Sequence, residues 1–277
     1  MTAYAEVIGD PIGHSKSPVI HCFWLKKLGI DSDYRACQVT QEDLSGYFDQ
    51  RRDDPAWRGC NVTIPHKIAV MDQVADPGDV RGTIGAMNTV IRQPDGSLIG
   101  TNTDAAGFFA PIADFDLEGM PVAVVGTGGA AHAVLFALSK ANVGPVTLLA
   151  RNPLKGAAIL ARFGLKGQVQ MLDKPLSPVA LLVNATQLGM AGQDPLALDL
   201  SSLPDDAVVY DIVYAPLLTP LLATAKKRGL ATVDGLEMLI GQAALAFELF
   251  LGAAPPREHD AELRVLLTSG RSPTQAS

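Results

Sequence analysis

The chain has 277 residues and a mass of 29.1 kDa, enough for one large or two medium domains. Hydrophobic residues make up 48% and charged residues 18%, which excludes an intrinsically disordered chain. Against 22 Lys+Arg stand 29 Asp+Glu, a net charge of −7, so there is no broad positive field for nucleic acid or anionic lipid, and any anion site must be local.

In chain order, Ala5–Gly9 reads as a strand that ends in the turn signal Gly-Asp-Pro. Pro18 suits the first turn of a helix whose apolar face is Val19, Ile20, Phe23, Trp24 and Leu28, with Gly29 as its stop. Tyr34–Val39 reads as a second strand, Glu42–Arg51 as a helix, and Gly59–Thr63 as a third strand running into Pro65. Strand–helix–strand order implies parallel pairing through crossovers. Further on, Pro121–Val125 is a fully apolar strand, followed at once by Gly126-Thr-Gly-Gly-Ala-Ala131 and a helix to about Lys140. Val146–Leu149, Leu181–Asn184 and Val208–Val213 read as strands and Leu154–Phe163 as a helix, the pattern of a doubly wound α/β domain. The last long helix, Leu236–Leu251, carries Leu236, Ile240, Ala243, Ala244, Phe247 and Leu251 on one face. Met238, Leu245 and Leu249 form a second apolar face, leaving Glu237, Gly241 and Glu248 wet. A helix apolar on two faces is expected to pack between layers. Glu237, Gln242 and Glu248 interrupt its apolar run, which argues against a membrane span. The tail from Ser272 is polar and expected to fray.

Cys22, Cys37 and Cys60 are odd in number and widely spaced, with neither a CxxC motif nor a disulfide framework. The first residues show no basic segment before an apolar run. The expectation is a reduced, cytoplasmic protein. His14, His21, His66, His132 and His259 show no metal-ligand spacing, so no metal site is expected. His14 and His66 fall in loops where they could line a pocket; His21 and His132 are expected on helix surfaces.

Gly126-x-Gly128-x-x-Ala131 matches the dinucleotide fingerprint in its proper place, after a strand and before a helix. The first glycine allows a tight turn and the second lets backbone approach a pyrophosphate. The small third residue lets the helix pack on the strand, and the helix N-terminus offers free N–H groups. NAD sites carry an acid about 20 residues further on. Here Leu148-Leu-Ala-Arg-Asn-Pro-Leu-Lys155 has none, and offers Arg151 and Lys155, a pair suited to the 2′-phosphate of NADP. Gly9-Asp-Pro-Ile-Gly-His-Ser-Lys-Ser17 is not a Walker loop, which needs four residues between its glycines where this stretch has three. Ser15 and Ser17 there are placed either to hold a carboxylate or hydroxyl, or to cap the helix. Lys67 and Asp104 each close a polar turn, and a Lys–Asp pair can run proton transfer.

Taken together, these stretches resemble the shikimate dehydrogenase family. The matching residues are Gly9 to Pro18, Asn61-Val-Thr-Ile-Pro-His-Lys67, Asn88-Thr89, Asn102-Thr-Asp104, the Gly126 loop, Asn184-Ala-Thr186, Asp211-Ile-Val-Tyr214 and Gly235-Leu-Glu-Met-Leu-Ile-Gly-Gln242. They run in family order over nearly the whole chain. The resemblance implies reversible NADPH-dependent reduction of 3-dehydroshikimate to shikimate, a step of aromatic amino acid and chorismate biosynthesis, by a monomer or homodimer. It implies Ser15 and Ser17 on the substrate carboxylate, and Thr63, Asn88, Tyr214 and Gln242 at its other polar groups. Lys67 and Asp104 become the catalytic pair, and Gly126, Gly128, Gly129, Ala130, Arg151, Lys155, Thr186 and Gly235 face the cofactor. The implied architecture is two α/β domains: residues 1–103, with a mostly parallel sheet and completed by the C-terminal helices of 237–277, for substrate, and a Rossmann domain over 104–236 for NADP. The family's cofactor segment is commonly Asn-Arg-Thr/Ser, where this chain has Ala150-Arg151-Asn152. The competing readings are a quinate/shikimate dehydrogenase using NAD and a non-catalytic NADP-binding sensor.

Overall fold

Strand β1 (Ala3–Gly9) is buried from Tyr4 onward, because it lies inside a sheet rather than at its edge. The computed structural model describes residues 2–269, so the tail from Ser272 lies outside the described residues. The chain divides into two units. One runs to Thr103 and resumes at Gln242, and the other spans Asp104–Gly241.

In the first unit, β1 is followed by α1 (Ser17–Leu28), β2 (Ser32–Gln38), α2 (Leu44–Arg52), β3 (Trp57–Val62), a single turn α3 (Val80–Thr83), β4 (Thr89–Arg92) and β5 (Leu98–Thr101). The strand order is β2-β1-β3-β4-β5. The expected strands pair in parallel: β1 with β2 and with β3. β4 and β5 add an antiparallel hairpin that periodicity did not resolve. Its signal was the turn chemistry of Pro94-Asp95-Gly96, with Gly96 at φ +85° and Gln93 N–H donating to Ser97 O at 2.8 Å.

The second unit begins with α4 (Asp104–Phe109) and continues through β6 (Val122–Val125), α5 (Gly129–Lys140), β7 (Val146–Leu149), α6 (Pro153–Arg162) and β8 (Gly167–Gln170). Then follow β9 (Leu181–Asn184), β10 (Val208–Asp211), α7 (Pro220–Lys227) and β11 (Ala231–Val233). All strands are parallel in the order β11-β10-β9-β6-β7-β8. Strand order reverses between β6 and β9, and β6, β7, β9 and β10 are buried throughout, as strands covered on both faces must be.

Helix α8 (Gly235–Leu251) contains the division between the units, after Gly241. Its expected main face is buried apart from half-buried Leu251, and Met238 is buried too, but Leu245 and Leu249 are exposed at 38% and 44%. The reason is periodicity: they continue the i, i+4 row of Glu237 and Gly241 and so share the wet stripe. Helix α9 (Asp260–Thr268) closes the described chain. No described helix is long and apolar enough to cross a membrane.

Two histidines expected at helix surfaces are buried instead. His21 is 1% exposed and stacks on Tyr34 with ring centroids 3.9 Å apart and planes 4° from parallel. Burial holds its pKa down to about 3, so it packs as a neutral aromatic plate. His132 is also buried and meets Phe163 edge-on.

One buried charge sits in the first sheet. Glu6, in the middle of β1, is 1% exposed. Its Oε2 accepts from Arg51 Nε at 2.8 Å and from the Tyr47 hydroxyl at 2.7 Å. Its Oε1 accepts from Arg51 Nη2 at 3.1 Å and Arg35 Nε at 3.2 Å. Burial alone would raise the Glu6 pKa, but the bonds from Arg51 and Tyr47 outweigh it and the net shift is downward. A carboxylate with a folded pKa below its unfolded value of about 4.3 stabilises the fold fully above that value and loses the contribution as pH falls through the folded pKa. Glu6→Gln should therefore flatten the acid limb of a stability–pH curve measured by urea unfolding. Arg51→Met, which strands the carboxylate while leaving Arg35 and Tyr47, should cost about 3 kcal/mol at neutral pH. An unchanged urea midpoint in Arg51→Met would show that the pair contributes nothing net.

Candidate active site

The first group of polar residues lies where β1 and β3 end. Ser17 is the first residue of α1 and is 4% exposed. The helix N-cap position is Lys16, which makes no side-chain cap bond, so Ser17 is not the cap. Ser15 Oγ accepts only a long 3.3 Å bond from the Ser17 N–H. Pro18, inside the first turn, supplies the helical φ that lets the chain start without a side-chain cap.

After β3, the Thr63 N–H donates to Ile8 O at 2.9 Å, which ties this loop to β1. His66 is fully buried, with Nε2 2.7 Å from Val39 O. It staples the loop rather than lining a pocket, as the sequence had suggested; His14 is exposed. Lys67 is half-buried and its carbonyl accepts from Met87 N–H at 2.8 Å, which fixes its backbone beside Asn88.

Asn88 is 2% exposed and its amide is fully engaged. Oδ1 accepts from the Thr103 N–H at 2.7 Å and from the Thr89 hydroxyl at 3.1 Å. Nδ2 donates to Thr103 Oγ1 at 2.9 Å and to Gln242 Oε1 at 3.4 Å. The partner that Gln242 needs on its apolar helix face is thus in part Asn88. Asp104, next in the chain after Thr103, opens α4 and is buried. Lys67 and Asp104 belong to different units. Behind Asn88 lies a further layer to which the sequence reading gave no role: Tyr34, Asn61 and Thr89, all buried. The partial signal was that Asn61 and Thr89 lie in the matched motifs of Thr63 and Asn88; Tyr34 lies in none.

The second group lies at the carboxyl ends of β6 and β9, where open α/β sheets bind ligands. Gly126 follows β6 at φ +114°, and a Cβ there would sit 2.8 Å from Thr186 Cγ2 and 3.0 Å from Ala185 O. Gly126 and Thr186 are therefore in close approach across the reversal point. Gly128 is the N-cap of α5, without a side-chain cap, and a Cβ on it would meet nothing within 4 Å. The first turn of α5 leaves its backbone N–H groups without helical partners, and with open space at Gly128 that is what a pyrophosphate requires. Gly235 has no room for a side chain either: its Cβ would lie 2.3 Å from Ile212 O.

Thr186 is held from below. Its hydroxyl donates to Asn184 Oδ1 at 2.7 Å, and Asn184 Nδ2 donates to Asp211 Oδ1 at 2.9 Å. Asp211 is fully buried and also accepts from the Thr219 hydroxyl at 2.7 Å and the Val213 N–H at 3.0 Å. Burial raises its pKa, and those bonds only partly oppose the rise. The Asp211 stretch therefore positions backbone, and Tyr214, half-buried, follows directly from it. At the end of β7, Arg151 and Lys155 are exposed at the start of α6, where Asn152 Oδ1 caps by accepting from the Lys155 N–H at 3.1 Å. Neither cation is in an ion pair among the described residues, and no acid stands in the segment. These residues fit a dinucleotide with an extra phosphate.

The family model described as the shikimate dehydrogenase substrate binding domain matches residues 7–90. That of the shikimate 5′-dehydrogenase C-terminal domain matches residues 235–262. The shikimate dehydrogenase (NADP(+)) of Sphingopyxis alaskensis is 68% identical over 266 residues, covering 96% of this chain and 97% of its own. The chain belongs to the shikimate dehydrogenase family. Among solved structures, shikimate 5-dehydrogenase from Thermus thermophilus in complex with NADP(H) and shikimate superposes with a TM-score of 0.84 at 37% identity, covering 96% of this chain and all (100%) of that one. The ligand-free 5-ketofructose reductase of a Gluconobacter strain reaches the same TM-score of 0.84 at 28% identity, covering 95% and 98%. The fold thus serves more than one carbonyl substrate. Among the described residues no group of His, Cys, Asp and Glu is arranged to hold a metal ion.

Gly126→Ala tests the close approach at the reversal point. It combines a left-handed φ with a Cβ 2.8 Å from Thr186, so it should destabilise the second unit by about 1–3 kcal/mol. Gly128→Ala, facing open space, should cost much less. Equal thermal midpoints for the two variants would contradict the geometry.

Proposed function

We propose that this protein catalyses the reversible NADPH-dependent reduction of 3-dehydroshikimate to shikimate. Relatives named as NADP-dependent shikimate dehydrogenases, one of them 68% identical over nearly the full length, support the reaction and the cofactor. From this chain's own residues, the observation that carries the cofactor reading is the exposed, unpaired Arg151–Lys155 pair with no acid beside it.

NADPH supplies the hydride. The chain supplies binding, orientation and the proton. Ser15 and Ser17 take the substrate carboxylate, Thr63, Tyr214 and Gln242 hold its other polar groups, and Asn88 reaches substrate through the amide hydrogen that it shares with Gln242 over a long 3.4 Å bond. Reduction of the ketone builds negative charge on the carbonyl oxygen. Lys67, as an ammonium, stabilises that charge and gives the oxygen its proton; in the oxidation direction it accepts one. Asp104 serves as the carboxylate of that proton-handling pair. Gly126, Gly128, Gly129 and Ala130 admit the pyrophosphate, Thr186 and Gly235 shape the adjoining wall, and Arg151 and Lys155 take the 2′-phosphate. The first unit is then the substrate domain and the second the NADP domain. The three cysteines are all free thiols, in keeping with a reducing cytoplasm, where the protein acts as a monomer or homodimer.

Two measurements test this reading. Charge-assisted bonds to phosphate contribute roughly 1.5–3 kcal/mol each, so Arg151→Ala should raise KM for NADP by about tenfold or more and leave NAD little changed. Equal losses for both cofactors would remove Arg151 from the phosphate. A positioned proton donor contributes about 10²–10⁴ in rate, so Lys67→Ala should lower kcat by that factor with KM for shikimate changed far less. A Lys67→Ala enzyme with near-normal kcat would take the proton role away from Lys67.

A further inference from the structure

The substrate-side residues are backed by a buried hydrogen-bond relay whose direction is set by two backbone groups. Asn61 Nδ2 lies 3.4 Å from Asn88 O, an atom that only accepts, so the amide must face it with its NH₂. Asn61 Oδ1 is thereby turned to Tyr34, and the 2.6 Å contact between them is the phenol donating. Asn61 Nδ2 also donates to Thr89 Oγ1 at 3.2 Å, and Thr89 passes its own proton to Asn88 Oδ1. At the far end the Thr103 N–H, which only donates, forces Asn88 Oδ1 toward itself and Nδ2 toward Gln242 Oε1. Gln242 Nε2 is consequently turned away from Asn88, as a donor.

Tyr34 stands at the head of this relay. It is buried, its ring lies flat against neutral His21, and burial keeps its pKa well above the ordinary tyrosine value, with the Ser17 side chain near enough to oppose the shift by hydrogen bonding. The phenol is thus a donor to Asn61, clamped in place by its stack on His21.

We propose that Tyr34 is a positioning residue for substrate binding: its hydroxyl anchors the Asn61–Thr89–Asn88–Gln242 relay and keeps the amides at its far end in register for substrate. Tyr34 acts through these residues and not on the reacting atoms. The proposal rests on Gln242 being a substrate ligand, as proposed above.

Tyr34→Phe keeps the ring and its stack on His21 and removes only the hydroxyl. In the full-length enzyme it should raise KM for shikimate about tenfold, change kcat by less than about threefold, and leave KM for NADP unchanged. If Tyr34 is merely structural, the thermal midpoint falls while KM for shikimate stays put, and the proposal is overturned. Should Tyr34→Phe not fold, Thr89→Val interrupts the same relay with an equal-sized side chain; the same KM split supports the proposal and an unchanged KM overturns it. In a Gln242→Ala background the KM effect of Tyr34→Phe should shrink below its value in the wild type, because both act through one chain of bonds. Gln242→Ala separates the two levels. If it does not raise KM for shikimate, the site reading falls and takes the proposal with it. If it does and Tyr34→Phe does not, only the proposal falls.

Discussion

The chain leaves its first unit at Thr103 and re-enters it at Gln242, and one buried side chain bonds to both residues. Asn88 has only two donors and two acceptor lone pairs on its amide, and the strand end on which it sits aims all of them inward. Val62 N–H donates to Asn88 O at 2.7 Å and Asn88 N–H to Thr101 O at 3.1 Å, so its backbone is pinned between β3 and β5 as well. The missed β4–β5 hairpin is therefore part of the framework of the proposed substrate site: it delivers Asn88 and Thr103 side by side, and with them Lys67, whose carbonyl bonds to Met87.

The second unit solves a different problem with the same materials. At the reversal between β6 and β9 the backbone must turn tightly and stay open to a ligand. Gly126 can turn there because it lacks a Cβ that would strike Thr186. Thr186 stays where it is because the buried Asp211 carboxyl organises Asn184, Thr219 and the Val213 N–H around itself. A buried acid is costly, and its raised pKa records that cost. Glu6 in the other unit is also buried but shifts the opposite way, since it has two guanidinium groups to accept from and Asp211 has none.

Because the same fold is found in a 5-ketofructose reductase, architecture alone does not choose the substrate. On the function proposed here, the choice lies in local chemistry: two serines at the start of α1, a chain of buried amides from Asn61 to Gln242, and two exposed cations where an NAD enzyme would carry an acid.

Much of this was legible from the residues in order. The apolar run Val122–Val125 followed by Gly126-Thr-Gly-Gly announced the dinucleotide-binding turn, because the constraint there is local: period, turn and small residues within a short stretch. The Arg151–Lys155 pair was legible for the same reason. What sequence order could not supply was who partners whom. Tyr34 and Asn61 are 27 positions apart and Asn88 and Gln242 are 154 apart, so their bonds exist only once the strands and α8 are packed. The histidines show the limit most clearly. His21 and His66 carry the same side chain in polar-looking settings, yet packing turned one into an apolar plate against Tyr34 and the other into a loop staple on Val39, because burial and the partner within reach, not the residue type, decide what an imidazole does.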